Sequence, residues 1–184
     1  MRPERPSASP SAGQRHRLFF ALVPPPAVRR QVHRVQRALD CGGRPVKAEN
    51  LHVTLAFLGM QDAAVIPAIT DIAGGLSFPP CRVALDHLGQ FGRGSVLWLG
   101  AADIPDALRT FQQELVGALT AAGIGHDPKP WKLHLTLYRR LRKPLPTLDS
   151  VAIEWRLDGF ELIESVGARN GVEYRSLAHW KARS

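Results

Sequence analysis

Two stretches of the sequence share one arrangement, "ENLHVTLAFLG" (49–59) and "KLHLTLYRR" (132–140). Each places a histidine, and a threonine two positions later, in a run that is otherwise mostly apolar. In a strand, residues i and i+2 point to the same face about 6.5–7 Å apart, so the histidine and the threonine of each run share a face. The alternate positions are apolar and predict a buried face, so the polar face needs a chemical explanation.

The composition predicts a globular protein of one folding unit. The chain has 184 residues, of which 45% are hydrophobic and 22% are charged, as in an ordinary soluble domain. No apolar run approaches the roughly 18 residues that span a bilayer, so we expect no membrane partner. Cys41 and Cys81 are the two cysteines, too few for a disulfide framework or a cysteine metal site, and we expect a reducing, cytoplasmic location.

The net charge of +8 favours a polyanionic partner, although charge alone bears on encounter rather than on fold. Part of this charge lies in the opening residues, which are rich in Pro, Ser and Arg and lack the apolar core of a secretory signal. We therefore predict a disordered N-terminal extension over 1–14 and a single domain over 15–184.

One succession of elements occurs twice along the chain. The strand "RLFFALVP" (17–24), a helix opened by prolines and a strand at 51–58 form the first copy. The strand "SVLWLG" (95–100), a helix within 104–123 and the strand "LHLTLY" (133–138) form the second. Apolar residues at helical spacing support both helices, and two lobes related by an approximate twofold would produce such a pattern.

Further elements complete a mixed α+β domain. A helix over about 62–73 follows the first copy, and "RVALDHLG" (82–89) predicts a strand that forms a hairpin with the strand at 95–100. Near the end of the chain, "AIEWRLDGFELIES" (152–165) and "VEYRSLAHW" (172–180) predict two more strands around a hairpin loop.

If the two halves face each other, His52, Thr54, His134 and Thr136 meet across a cleft. A neutral imidazole can take a proton from water while a protonated imidazole gives one to a leaving oxygen. Threonine hydroxyls can donate hydrogen bonds to phosphoryl oxygens. A single His-x-Thr is usually a polar pair on a solvated sheet face, but two copies in equivalent places favour metal-free cleavage of a phosphodiester.

Other catalytic chemistries lack their residues. A metal site built on the two histidines has no His-Glu-x-x-His motif and no nearby Asp cluster, and threonine is a poor ligand for hydrolytic metals. The sequence contains no Gly-x-Ser-x-Gly elbow and no Walker loop. We therefore expect no metal.

The two motifs "LHVTLAFLG" and "LHLTLYRR" resemble the paired motifs of the 2H phosphoesterase superfamily. With "RLFFALVPP" and "YRSLAHW", the chain is similar to the bacterial 2′-5′ RNA ligase branch, the RNA 2′,3′-cyclic phosphodiesterases, over residues 15–182. The resemblance implies a bilobal, pseudo-twofold α+β domain of two antiparallel-rich sheets with outer helices around a central cleft. It also implies hydrolysis of RNA 2′,3′-cyclic phosphate ends to 2′-phosphomonoesters, without a cofactor.

Carried over residue by residue, the resemblance implies that His52 and His134 are catalytic and that Thr54 and Thr136 bind phosphate. Neither the residues nor the resemblance decides which histidine is the acid and which is the base.

The resemblance also implies that Arg139 and Phe19 flank the nucleobase, an arrangement that suits any base. Strict strand alternation, however, puts Arg139 on the face opposite His134. Arg139 reaches the cleft if the strand bulges or ends near Tyr138, and otherwise Arg140 is the better candidate.

Three alternatives stay open at this point. The same site could run in reverse and join RNA ends through a 2′-5′ linkage. The chain could instead be a nucleotide or RNA-end binding module without turnover, or a phosphodiesterase that acts on small nucleotides. A monomer is the default expectation for its assembly.

Overall fold

The computed structural model describes most of the chain, namely residues 13–39, 41–92, 95–143, 151–169 and 171–182. The predicted N-terminal extension lies outside the described residues except for its last two positions. Within the described part, no helix is long and apolar enough to cross a membrane.

Ten strands and three α-helices make up the described part of the chain. The strands are β1 (Arg15–Leu22), β2 (Arg44–Pro45), β3 (Val53–Asp62), β4 (Cys81–Leu85), β5 (His87–Phe91), β6 (Val96–Gly100), β7 (Leu135–Arg139), β8 (Ile153–Leu157), β9 (Gly159–Ala168) and β10 (Gly171–Lys181). The helices are α1 (Pro26–Ala38), α2 (Ile66–Gly74) and α3 (Asp106–Ala121), with 3₁₀ turns at Ala48–Asn50 and Ala63–Val65.

The main sheet has the order β10-β9-β1-β3-β7-β6-β5, and all of its pairings are antiparallel. The inner part of this order is symmetric about the β3–β7 junction, with β1-α1-β3 on one side and β6-α3-β7 on the other, while β9 and β10 extend one side and β5 the other. The two half-sheets join through one residue pair, Val53 with Leu135. The predicted α+β class and its two related halves are therefore confirmed, with both halves linked into a continuous sheet.

The helices follow from apolar stripes at helical spacing. Helix α1 begins with a proline at its first position, where the missing N–H is not needed, and buries Val28 and Val32. Helix α3 buries one stripe, which consists of Leu108, Phe111, Leu115 and Leu119. Both helices thus cover the apolar face of the sheet and leave its other face available for polar side chains.

The predicted hairpin between 82–89 and 95–100 is wrong in its first strand. Asp86 divides that run into β4 and β5, because its N–H donates to the Gly100 carbonyl and its carboxylate accepts from the Ala102 N–H. Only β5 pairs with β6, whereas β4 pairs with β8 in a separate two-stranded sheet. The run 152–165 divides in the same way at Asp158, into β8 and β9.

A buried amide fixes α1 against the strand that carries the second motif. Gln36 is 2% exposed, and its Nε2 donates to the carbonyls of Val46 (3.0 Å) and Leu137 (2.9 Å). The Tyr138 hydroxyl donates to the Gln36 carbonyl at 2.7 Å. These bonds hold α1, β7 and the segment after β2 in one arrangement.

Replacing Gln36 with methionine removes both donations and leaves the Val46 carbonyl without this donor. Because a buried polar group without a partner costs about 1–3 kcal/mol, we expect the free energy of unfolding in urea to fall by that amount. Gln113→Met, on the exposed face of α3, is the matched control and should change it by less than about 0.5 kcal/mol. An equal change in the free energy of unfolding for the two variants, relative to wild type, would contradict this role for Gln36.

Candidate active site

The pairing of Val53 with Leu135 determines how the two motifs meet. In an antiparallel pair with this register, His52 lies opposite Thr136 and Thr54 lies opposite His134. Side chains at such opposed positions have Cβ atoms about 4.5–5.5 Å apart. The motif side chains therefore form two cross-strand His/Thr pairs, related by the pseudo-twofold.

The surface of the molecule agrees with this arrangement. His52 and Thr136 line one cavity of about 200 Å³, and Thr54 and His134 line another of about 800 Å³. Val53 and Leu135, which alternate with the motif residues, are fully buried. The predicted polar and apolar faces are both present.

Each histidine is oriented by the backbone carbonyl two residues before it. The Nδ1 of His52 lies 2.8 Å from the Asn50 oxygen, and the Nδ1 of His134 lies 2.8 Å from the Lys132 oxygen. A carbonyl only accepts, so Nδ1 carries the hydrogen in both rings. The Nε2 atom of each imidazole is then left to take up or release a proton.

Both imidazoles have depressed pKa values. The pKa of His52 is lowered to about 4, chiefly by burial and to a smaller extent by the charges of His134 and Arg139, while the hydrogen bond to Asn50 opposes the shift. The pKa of His134 is lowered by burial and then by the charges of Arg139 and Lys132. Both rings are therefore neutral in the free protein at pH 7, in a site whose surroundings favour an anion.

Aromatic rings support the histidines on both sides of the site. The rings of Phe19 and Tyr174 lie 4.9 Å and 5.1 Å from that of His52. The Phe91 ring meets His134 edge-on at 4.9 Å. This packing restricts the orientation of both imidazoles and accounts for their burial.

A bulge in β7 determines where the arginines of the second motif lie. Thr136 pairs with Trp98 and Tyr138 pairs with Leu97, so the register shifts and Leu137 has no partner in β6. One extra residue reverses the alternation, as the sequence analysis required for Arg139 to reach the cleft.

Arg139 lines two cavities that it shares with His52. Arg140 lines neither of them. It adopts a positive φ of 56° and donates its N–H to the Ser95 carbonyl, which ends the strand. The geometry thus places Arg139, rather than Arg140, beside the catalytic candidates.

Phe19 lines a cavity of about 410 Å³ together with His52, Thr54 and Arg139. It is only 3% exposed, so most of its ring packs against His52 and Tyr174. Phe19 therefore supports the imidazole and offers little free surface.

Sequence reasoning missed three residues of the site. Tyr174 lines the two cavities beside His52, while Phe91 and Lys132 line the cavity beside His134. The stretch "YRSLAHW" carried a signal for Tyr174, an aromatic residue beside an arginine at the start of an apolar strand. Phe91 could not be found, because only the tertiary fold brings β5 close to His134, whereas Lys132 lies two residues before His134 in the second motif and was overlooked.

The arrangement of possible metal ligands around the two imidazoles does not favour a metal centre in the described part of the chain. Among the residues that the structure describes, no group of three His, Cys, Asp or Glu side chains is placed to hold a metal ion. The chemistry that this arrangement supports directly is proton transfer by imidazole.

Comparison with known proteins assigns the family. The family model described as the 2′-5′ RNA ligase superfamily matches residues 24–169. The chain belongs to the 2′-5′ RNA ligase superfamily. The resemblance noted in the sequence is therefore confirmed, and both histidine motifs lie inside the matched range.

Similar members of the 2′-5′ RNA ligase superfamily cover nearly the whole chain. The RNA 2′,3′-cyclic phosphodiesterase of Escherichia coli is 33% identical over 168 residues, which are 89% of this chain and 95% of that protein. The enzyme of the same name from Thermus thermophilus is 30% identical, with 91% and 90% coverage. The crystal structure of E. coli LigT complexed with 3′-AMP matches with a TM-score of 0.84 at 31% identity, covering 93% of this chain and all of that one.

The depressed pKa of His52 makes stability depend on pH. The folded protein holds this imidazole neutral down to about pH 4, whereas in the unfolded chain it takes up a proton near its ordinary value of 6.5. The unfolded state therefore binds more protons between these values, and the free energy of unfolding falls as the pH falls from 6.5 to 4.

His52→Gln should flatten this pH dependence in urea denaturation series, because one of the groups that bind more protons in the unfolded state is gone. His179→Gln, at an exposed position of β10, is the control and should retain the wild-type slope. A wild-type slope in His52→Gln would contradict the buried, neutral state assigned to this imidazole.

Proposed function

We propose that this chain hydrolyses RNA 2′,3′-cyclic phosphate ends to 2′-phosphomonoesters, with His52 and His134 as a metal-independent acid-base pair. The observation that carries the proposal is the cross-strand register, which sets each histidine opposite the threonine of the other motif. Two proton-transfer groups then flank the place where Thr54 and Thr136 can hold a phosphoryl group.

The reaction needs the attacking and leaving oxygens of the phosphoryl group on opposite sides of phosphorus. The Nε2 of the neutral imidazole takes a proton from water as the water oxygen bonds to phosphorus. The bond from phosphorus to O3′ breaks, and the protonated imidazole gives its proton to O3′. The phosphate stays on O2′, and the two histidines have exchanged protonation states.

The charges around the two histidines favour these proton transfers. Burial lowers the pKa values of both free histidines, Arg139 lowers them further and Lys132 adds to the shift of His134, whereas the negative charge of a bound phosphate has the opposite effect. Substrate binding therefore favours the protonated form of one imidazole where it is needed as the acid. Phosphate binding and protonation of the imidazole are coupled, so the site holds no buried imidazolium before the substrate binds.

The nucleobase of the terminal nucleotide is assigned to the cavity of about 410 Å³ beside His52. Arg139 and Phe19, the residues predicted to flank the nucleobase, both line this cavity, and so does Tyr174. Because Phe19 is almost fully covered, Tyr174 supplies more of the free aromatic surface. An arginine plane and an aromatic ring bind any base, which suits RNA ends of varied sequence.

The relatives support the choice of reaction over simple binding. Enzymes named RNA 2′,3′-cyclic phosphodiesterase are 33% and 30% identical to this chain over most of their length. A nucleotide-binding module without turnover would retain nucleotide affinity but show no product. Reverse joining of RNA ends uses the same groups and is proposed as a side activity. The monomer and the cytoplasmic location stay predictions.

Loss of either imidazole should nearly abolish turnover. With a 2′,3′-cyclic mononucleotide and EDTA present, His52→Ala and His134→Ala should each lower kcat by roughly 10²–10⁴-fold, because each removes one proton transfer. The double variant should lose far less than the product of the single losses, since both groups serve one transition state.

The assay resolves the 2′- from the 3′-monophosphate by chromatography, and His179→Ala on exposed β10 is the control. The wild type and this control should form 2′-monophosphate only. Wild-type turnover in either active-site variant would refute the acid-base pair. Activity that EDTA abolishes and zinc or manganese restores would instead favour a metal site.

The threonine hydroxyls should contribute to transition-state binding. Thr54→Val and Thr136→Val keep the β-branched shape but remove the donor, and a hydrogen bond to a charged group is worth about 1.5–3 kcal/mol. Each variant should therefore lower kcat/KM roughly 10–150-fold. Thr110→Val, exposed on α3, should leave kcat/KM unchanged, and equal values for all three variants would remove the threonines from the mechanism.

A further inference from the structure

Every charged residue on the exposed face of α1 is basic. Arg30, Arg34 and Arg37 are exposed there, with His33 between them. Residues 26–39 contain no aspartate or glutamate. We call the surface formed by Arg29, Arg30, His33, Arg34 and Arg37 the α1 basic face.

This arrangement does not stabilise the helix. Arg30 and Arg34 are four residues apart, where like charges repel by about 0.2–0.5 kcal/mol. Arg29 lies in the first turn, whose partial positive charge favours acidic residues, and the first turn contains none; Arg37, in the last turn, is the one of these arginines that complements the helix dipole. A surface that opposes local helix stability is expected where a function requires it.

The charges of the α1 basic face are available to a partner. The ion pairs found among the described residues involve none of its arginines. The guanidinium of Arg29 donates to the Pro24 carbonyl at 2.7 Å, a bond that does not neutralise its charge. An external anion can therefore approach this face without displacing an internal carboxylate of the described part.

The segment 44–50 connects the α1 basic face with the catalytic site. Its residues line a groove of about 320 Å³ together with Ala48. Ala48 begins the 3₁₀ turn that ends two residues before His52. The preceding residue, Lys47, lines the catalytic cavity together with Arg44 and His52.

Arg44 and Lys47 therefore bridge the groove and the cleft with positive charge. Both line the cavity that contains His52, and Arg44 pairs with Arg139 across β2 and β7. Residues 26–50 contain six arginines and lysines against two acidic residues, Asp40 and Glu49, so the sequence from α1 to the catalytic cleft has a positive net charge.

We propose that the α1 basic face, continued by Arg44 and Lys47, binds the phosphate backbone of the RNA strand whose 3′ end occupies the cleft. This inference rests on the proposed function and narrows its substrate to RNA ends rather than small nucleotides. Evenly spaced exposed arginines contact phosphates without reading bases. The strand thereby gains affinity that a mononucleotide does not have.

The test compares two substrates and two double variants across a series of salt concentrations. The substrates are an oligoribonucleotide and a mononucleotide, both ending in a 2′,3′-cyclic phosphate. The variants are Arg30→Gln/Arg34→Gln on α1 and, as a matched control, Arg82→Gln/Arg156→Gln, which removes two exposed arginines paired across β4 and β8. Binding of the oligonucleotide is measured in parallel by fluorescence anisotropy.

We expect the α1 variant to bind the oligonucleotide roughly tenfold more weakly near 0.1 M salt. The slope of log affinity against log salt should fall by about 1.4, since each lost phosphate contact on a single strand contributes about 0.7. The kcat/KM for the cyclic mononucleotide should not change, and the control variant should behave as wild type with both substrates.

Three results would overturn the inference. They are unchanged oligonucleotide binding in the α1 variant, an equal loss in the control variant, and an equal loss of kcat/KM for the mononucleotide. Loss of binding to phosphatidylserine vesicles with intact RNA binding would assign the face to a membrane instead. Failure of the wild type to turn over either substrate would refute the proposed function, and anisotropy would still test the α1 basic face.

Discussion

The site depends on one short contact between strands, the pairing of Val53 with Leu135 at the centre of the sheet. This pair joins two half-sheets that each have their own helix and buried face. Its register sets His52 against Thr136 and Thr54 against His134. A slip of one residue would turn the motif side chains towards the core. Fold and chemistry are therefore specified by the same alternation of polar and apolar residues.

The electrostatic environment of the site favours an anion. The two imidazoles stay neutral because they are desolvated and lie near positive charge, that of Arg139 for both rings and that of Lys132 for His134. Arg44 and Lys47 line the wall of the same cleft. The negative charge of a bound phosphate balances these cations and favours the protonated form of an imidazole. Phosphate binding and proton uptake by the histidines therefore promote each other. The net charge of +8 acts in the same direction during encounter.

Much of this site could be predicted from the sequence, because it is built on short-range periodicity. The period-two alternation identified the faces of the two motif strands, and the repeated strand-helix-strand order predicted that they would meet. The bulge at Leu137, which brings Arg139 to the cleft, depends on pairing with β6 and could not be predicted. The divisions at Asp86 and Asp158 depend likewise on distant partners, as does the arrival of Tyr174 from β10 beside His52.

The pH dependence of kcat and of kcat/KM with a 2′,3′-cyclic mononucleotide, in EDTA, tests the acid-base pair most directly. Our account predicts two bell-shaped profiles, because one imidazole must be neutral and the other protonated. The kcat/KM optimum, which reports the free enzyme with its depressed histidine pKa values, should lie at lower pH than the kcat optimum. Activity that rises continuously to alkaline pH, without a falling limb, would contradict the account.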